Sequence, residues 1–487
     1  MVSIMKRIFI IMAALPLIFA ACSKETPAKE DPAGEGTAIV ESGKKSINVN
    51  IAQFEAPAAA TETAEEAETR VAFGTASGNT MPLVWSEGDE IALIQDKGQA
   101  TQKVSVFRLS GTGGSENGTF VFVSGDEPGD DANLKDAIYP ASAFSSWAIP
   151  QAQTYSAGTI DKNAAVMTWH SDSGIGVDGI TFSPLGSVVC LQLTGISTLS
   201  VTSVRVTVNS TPYTLSCTTP VTPLEEAIPF YISVPGCSAQ TIDFDINFKY
   251  GEAAKTVKKA TFSKAFEAGK LHRFAARDII DIGDFIDNGV VFSSYFLRHD
   301  DETEGTPLTK YVKIMSLDER NDLCFSTEDV QLGLSHLTTY TRDEGVNNTA
   351  MILATENYSA STYPAAAWCT AHGEGWHLPA ERDMLMVYNA FLHTAATPYV
   401  PNKPSAARTK KLIEHFGGTM LTYSTKEKEG PFYMSSCEDE EPTKYPNQVR
   451  LRQFDTKKGG GRVIKQDITT TNGTEVRVRA AKVLNFE

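Results

Sequence analysis

The sequence predicts a mainly β protein made of β-sandwich modules, with an α+β domain at its C-terminal end. Three observations carry this. Apolar and polar residues alternate with a period of two through much of the chain up to about Ala276. Turn clusters such as SGTGGSENG and SGDEPGDDAN separate the short runs. Beyond about Val290 a helical period enters, in YPAAAWCTAHGEGWHLPAERDMLMVYNAFLH.

The chain opens on a different pattern. Lys6 and Arg7 precede an apolar run from Ile8 to Phe19, and the small residues Ala20 and Ala21 follow. This is the order of an export signal over residues 1–21. The run is shorter than the roughly 20 apolar residues a membrane-spanning helix needs. A buried core helix is the alternative, but no capping residue or amphipathic stripe accompanies the run. Phe19-Ala20-Ala21-Cys22 resembles a bacterial lipobox, with Phe19 where Leu is usual. The resemblance implies that Cys22 is lipidated, as by palmitate, and becomes the new N-terminus. Acyl chains bind at about 0.8 kcal/mol per buried methylene, and more than one holds stably. Residues 22–44, rich in Pro, Ala, Glu and Gly, read as a flexible tether.

The strands begin with SINVNIAQFE, which places Ile47, Val49 and Ile51 on one face. The low-complexity acidic linker APAAATETAEEAE follows, and then Thr69-Arg70-Val71-Ala72-Phe73. By spacing alone this is an ordinary first strand with a long loop. Further on, Val204, Val206 and Val208 alternate in VRVTV, and Ile242, Phe244, Ile246, Phe248 and Tyr250 do so in IDFDINFKY.

In the last part, Ala380, Met384, Tyr388 and Phe391 recur at helical spacing, with Pro379 suited to the first turn and His393 to the last. SAARTKKLIEHFGG reads as a second helix, with Ser405 at its N-cap and Gly417 at its C-cap. NQVRLRQFD, GGGRVIKQD and EVRVRAAKVLNF return to strands. KKGGGR suits a hairpin turn, and Gly473 would allow a second hairpin between RVIKQDI and the final strand. The α+β domain begins between Arg277 and Val290.

The chain has 487 residues and a formal net charge of -16, which argues against nucleic acid as a partner. Beyond Cys22 lie Cys190, Cys217, Cys237, Cys324, Cys369 and Cys437, none in a C-x-x-C pair. Cys190, in VVCLQL, reads as a buried free thiol. There is no G-x-S-x-G, H-E-x-x-H or P-loop. His372 and His377 in HGEGWH lack the i,i+4 spacing of helical zinc ligands. The acidic runs at Asp300-Asp301-Glu302 and Glu438-Asp439-Glu440-Glu441 read as solvated loops rather than calcium sites, and Trp376 as core. These features point to no enzyme, no cofactor and no metal.

Several short motifs stand in a fixed order: TRVAF from Thr69, PLVWSEGDEI from Pro82, AIYP from Ala137, IPQAQ from Ile149 and FSPLG from Phe182. Through them residues 45–276 resemble the fimbrillin family, the lipoprotein-derived pilins of Bacteroidia-type (type V) pili. The family implies two tandem β-sandwich domains, placed at 45–160 and 161–280. Residues 290–487 resemble a C-type-lectin-like module. Tyr363-Pro364-Ala365-Ala366-Ala367-Trp368-Cys369, Gly375-Trp376-His377-Leu378-Pro379, Tyr433-Met434-Ser435-Ser436 and Val476-Arg477-Val478-Arg479 carry that likeness. No Glu-Pro-Asn or Gln-Pro-Asp triplet accompanies it.

The fimbrillin resemblance implies a lipidated precursor at the outer membrane, cut after Arg70. The strand from Ile47 to Phe54 then leaves, and a donor strand from another pilin takes its place. A lectin-like module where a stalk subunit carries its donor strand implies a tip subunit and adhesin, with partners among other pilins and a ligand on a host or bacterial surface. The alternative is a permanently anchored surface lipoprotein that binds glycan or protein through its C-terminal module.

Overall fold

The computed structural model describes residues 44–55, 80–81, 83–297, 309–329, 331–334, 343–391, 406–421, 431–438, 448–454, 462–467 and 476–486. The expected export signal, Cys22, the acidic linker and Arg70 lie outside the described residues. The protein is mainly β.

In chain order the first strands are β1 (Ser46–Ile51), β2 (Phe54–Glu55), β3 (Thr80–Met81), β4 (Glu90–Gln95), β5 (Lys103–Leu109), β6 (Asn117–Gly125), β7 (Leu134–Tyr139), β8 (Ala152–Thr154), β9 (Met167–His170) and β10 (Ile180–Pro184). Seven of them close into a barrel in the order β1-β10-β9-β7-β4-β5-β6. Closure leaves the ladder no free edge. Strands on both sides of residue 160 share this barrel, since β9 and β10 belong to it.

The next strands are β11 (Ser187–Thr194), β12 (Leu199–Val208), β13 (Thr211–Val221), β14 (Ile228–Val234), β15 (Cys237–Tyr250), β16 (Ala253–Phe266), β17 (Leu271–Arg273) and β18 (Arg277–Asp278). β11 pairs with β14 on one side and with β17 and β18 on the other. β13, β12, β15 and β16 form a second layer, with β8 added in parallel to β13. The alternating residues do what their period requires: Val204, Val206, Val208, Ile242, Phe244, Ile246 and Phe248 are buried. They share one core with Val189, Leu191, Leu193, Phe230 and Ile232 of the facing strands.

The C-terminal part contains β19 (Phe285–Ile286), β20 (Gly289–Leu297), β21 (Thr309–Ser316), α1 (Glu344–Leu353), α2 (Pro364–Thr370), β22 (Trp376–His377), α3 (Glu381–Phe391), α4 (Ala406–His415), β23 (Phe432–Glu438), β24 (Gln448–Gln453), β25 (Arg462–Asp467), β26 (Val476–Arg477) and β27 (Ala481–Phe486). Its main strands continue the preceding layer into a ten-stranded sheet, β22-β27-β21-β20-β19-β16-β15-β12-β13-β8. A separate sheet runs β25-β24-β23-β26.

Two local expectations change. The helix at Glu381 starts two residues after Pro379, because Asp383 Oδ2 accepts the Ala380 N–H at 2.9 Å and fixes the start there. The final stretch is not one strand and forms no hairpin with β25. β26 pairs in parallel with β23, whereas β27 crosses to β21 and β22. Arg479 marks the crossing: its guanidinium is fully buried on Glu319 and on the carbonyls of Ser316, Leu317 and Thr419. At α4 the expected cap is present. Gly417, at φ +83°, donates to Glu414 O, and Gly418 donates to Ile413 O at 2.8 Å, a Schellman pattern.

Candidate functional site

β1 is the strand through which the barrel closes. It lies antiparallel to β6, with Ile47 opposite Phe120 and Val49 opposite Gly118. On its other edge it runs parallel to β10, with Val49 opposite Ile180 and Ile51 opposite Phe182. Ile47, Val49 and Ile51 are 6%, 2% and 6% exposed, so the inward face of the strand is fully committed to the core. Each such aliphatic side chain contributes about 1.5–3 kcal/mol by its burial.

Motifs far apart in sequence meet beneath this strand. Trp85, from PLVWSEGDEI, packs edge-on against Phe120 at 4.8 Å, Tyr139 at 5.2 Å and Phe182 at 6.2 Å between ring centroids. Tyr139 belongs to AIYP and Phe182 to FSPLG, so three of the quoted motifs share one aromatic floor. The Tyr139 hydroxyl donates to Asp89 Oδ1 at 3.2 Å, and the Ser86 N–H donates to Asp89 Oδ2 at 2.7 Å. Burial first, then the Asp89 charge, pushes the phenol well above its ordinary range. At this end of the barrel a cleft of about 550 Å³ is bordered by Ile51, Leu83, Trp85, Tyr139 and Ile160.

One glycine makes room for the strand and another for the side chains packed beneath it. Gly179, at φ +77°, comes so close to β1 that an added Cβ would stand 2.1 Å from Asn48 O. At Gly118 a Cβ would stand 2.6 Å from Leu109 Cδ1 and 3.0 Å from Trp85 Cδ1. The strand is also held at its ends. Lys45 pairs with Asp131 at 2.8 Å, and the Ala52 N–H donates to Phe182 O at 2.8 Å.

Of the expected site residues, Cys22 and Arg70 fall outside the described residues. The segment expected to leave is β1 and the start of β2. Sequence reading found the strand but not its seat: Gly118, Gly179 and Trp85 carry no signal of contact with residues 47–51 until the barrel is closed.

In the C-terminal part, the candidate residues read from the sequence serve packing and hydrogen bonding. Trp376 is buried, as read from the sequence. His372 bonds through Nε2 to Asp318 at 3.0 Å, and His377 is buried with its basicity lowered by desolvation. Glu438 serves structure, accepting the N–H groups of Leu332 and Leu334. Among the described residues no group of three or more His, Cys, Asp and Glu side chains is placed to hold a metal ion. The six described cysteines are free thiols, and burial pushes Cys190 up to about 12. No helix of the described residues is long and apolar enough to cross a membrane.

No protein-family model matches the chain, and no curated protein matches it. Solved structures are similar over part of it, among them these three. One, named "putative cell adhesion protein" and from Bacteroides fragilis, is 11% identical with a TM-score of 0.27, over 54% of this chain and 100% of that one. A second of the same name, from Bacteroides ovatus, is 14% identical with a TM-score of 0.26, over 48% and 92%. The third is the C-terminally truncated tip fimbrial protein Mfa3 of Porphyromonas gingivalis, 11% identical with a TM-score of 0.19, over 45% and 82%. None of these scores is that of a shared overall fold.

Proposed function

We propose that this chain is a fimbrillin-like pilus tip subunit and adhesin, activated when a cut after Arg70 frees β1 for replacement by a strand of another subunit. The observation that carries the proposal is the seat of β1. It is the first described strand, it is followed by the acidic linker that holds Arg70, and it closes a barrel from an inner position between β6 and β10. Its loss would leave two unpaired strand edges and an apolar trough over Trp85, Phe120 and Phe182. Strand addition satisfies such an opening.

The pairing of β27 makes it unsuited to act as a donor strand. β27 is paired on both edges, by β21 and β22, and its Ala481 and Phe486 are buried. It is a strand retained in its own sheet. The lectin-like C-terminal module would meet the surface ligand, and Cys22 would carry the acyl anchor of the precursor to the outer membrane.

The test is made in cells. Arg70→Ala should leave surface delivery intact while blocking removal of residues up to 70 and entry into sheared pili. Cys22→Ser should stop delivery itself. Normal-size Arg70→Ala protein in pili, or gold label spread evenly along the shafts, would sink the proposal.

A further inference from the structure

β1 is held beyond the end of its ladder. Gln53, two residues past Ile51, lays its side-chain amide along the backbone of Leu83. The Leu83 N–H donates to Gln53 Oε1, and Gln53 Nε2 donates to Leu83 O at 3.1 Å. The same Nε2 lies 3.3 Å from Glu116 Oε2 and 3.4 Å from Ile51 O. An amide carries donor and acceptor side by side, so it can pair both polar groups of one residue as a neighbouring strand would. The protein uses the device elsewhere. Gln153 Nε2 donates to Ser233 O at 2.7 Å, and the Ser233 N–H donates to Gln153 Oε1 at 2.9 Å, along β14.

The two clamps differ in what happens to them. Gln153 and Ser233 both lie after Arg70 and stay together. Gln53 lies before Arg70 and would leave with β1, whereas Leu83 stays. Leu83 is half-buried and leads directly to Trp85, whose backbone N–H donates to Ser115 O at 2.9 Å and whose ring forms the floor of the trough. Ile51, Leu83 and Trp85 border the same cleft.

We infer that Gln53 is a positioning residue that sets strand register, and that the strand replacing β1 must carry a side-chain amide two places beyond its third inward apolar residue. This rests on the proposed strand replacement. Alternating apolar residues alone leave the register open to a shift by two, whereas an amide that must meet Leu83 does not. A carboxylate of the same shape cannot substitute. It accepts from the Leu83 N–H but cannot donate to the Leu83 carbonyl, and it faces Glu116.

The test uses the full chain cut after Arg70, with the cut confirmed by mass, and three labelled peptides spanning Ser46 to Glu55. These carry the natural Gln53, Gln53→Ala and Gln53→Glu. Exchange into the cut chain is followed by retained label, and seating by hydrogen exchange at the Leu83 amide. The natural peptide should be retained at least about tenfold better than Gln53→Ala, which loses two neutral hydrogen bonds worth roughly a factor of five each, and at least about fivefold better than Gln53→Glu, which loses one of them and faces Glu116. The Leu83 amide should be protected with the natural peptide and lose that protection with the Gln53→Ala peptide, which has no acceptor for it. Equal retention of all three, or a Gln53→Glu peptide as tight as the natural one, overturns the role of Gln53 and leaves strand replacement standing. Failure of every peptide to exchange overturns both.

Discussion

Asp284 shows how far the interior departs from a simple apolar core. Its carboxylate is enclosed beside Lys259, and it also accepts the Asp281 N–H at 2.6 Å. Burial outweighs the Lys259 charge, and the carboxyl is raised from 3.8 to about 6. A group raised on folding contributes stability that is present below its unfolded pKa and lost as pH rises through its folded one. The wild type should therefore gain melting temperature relative to Asp284→Asn as pH falls from about 7 to about 4. Thermal melts of both proteins at fixed ionic strength check this. A wild type that holds level with or loses ground to Asp284→Asn on acidification would mean that Lys259, not burial, governs the carboxyl. Nothing in the alternating pattern of IDFDINFKY or its neighbours hints at this pair, because Lys259 and Asp284 meet only when β16 and the 277–287 segment pack.

At the scale of elements, strands were legible and their partners were not. SINVNIAQFE, VRVTV and IDFDINFKY announce themselves by a period of two. Helix α1 does not announce itself, because its buried face is polar: Glu344, Gly345, Asn348 and Thr349 lie inside with Ile352, and Asn348 Nδ2 donates to Ser436 O at 3.2 Å. The seat of β1 gives a direct prediction. Gly179→Ala places a Cβ against Asn48 O in a left-handed conformation that costs other residues about 1–2 kcal/mol by itself. Amide exchange over Asn48–Ile51 should quicken markedly. Gly417→Ala, also left-handed but with nothing within 4 Å of its Cβ, should cost about 1 kcal/mol at the cap of α4 and leave β1 protected. Equal effects of the two on β1 would show that Gly179 acts only through its backbone.

For the molecule as a whole, the continuity of the ten-stranded sheet matters most. β16 joins β19 through the pairing of Lys258 with Phe285, and β27 packs back onto the layer that precedes it. Phe486 lies 5.4 Å from Tyr250 and 6.1 Å from Phe248, ring to ring, while Lys310 pairs with Asp278 at 2.6 Å. Phe486→Ala should cost about 3–5 kcal/mol, as large-to-small changes in a packed core do. The loss should reach both sides of the junction. Hydrogen exchange under mild denaturant would read it at β15 as well as at β21, and unchanged protection at β15 would mean that the C-terminal module unfolds alone. The C-terminal part is joined to the preceding β layer by a continuous sheet.

The sequence by itself determined the β class, the burial of alternating residues in β12 and β15, the buried face of α3, and helix α4 with its Gly417 cap. Local periodicity and local backbone chemistry dictate these things. The tertiary structure alone decided that β1 closes a barrel between β6 and β10, that β9 and β10 join that barrel, and that the last stretch divides at Arg479 between two sheets. Strand pairing is non-local: the same alternating face can be buried by many partners. The choice among them is made by close approaches such as Gly179 to Asn48, and by buried polar groups such as Arg479 and Gln53, which find their acceptors and donors in only one arrangement.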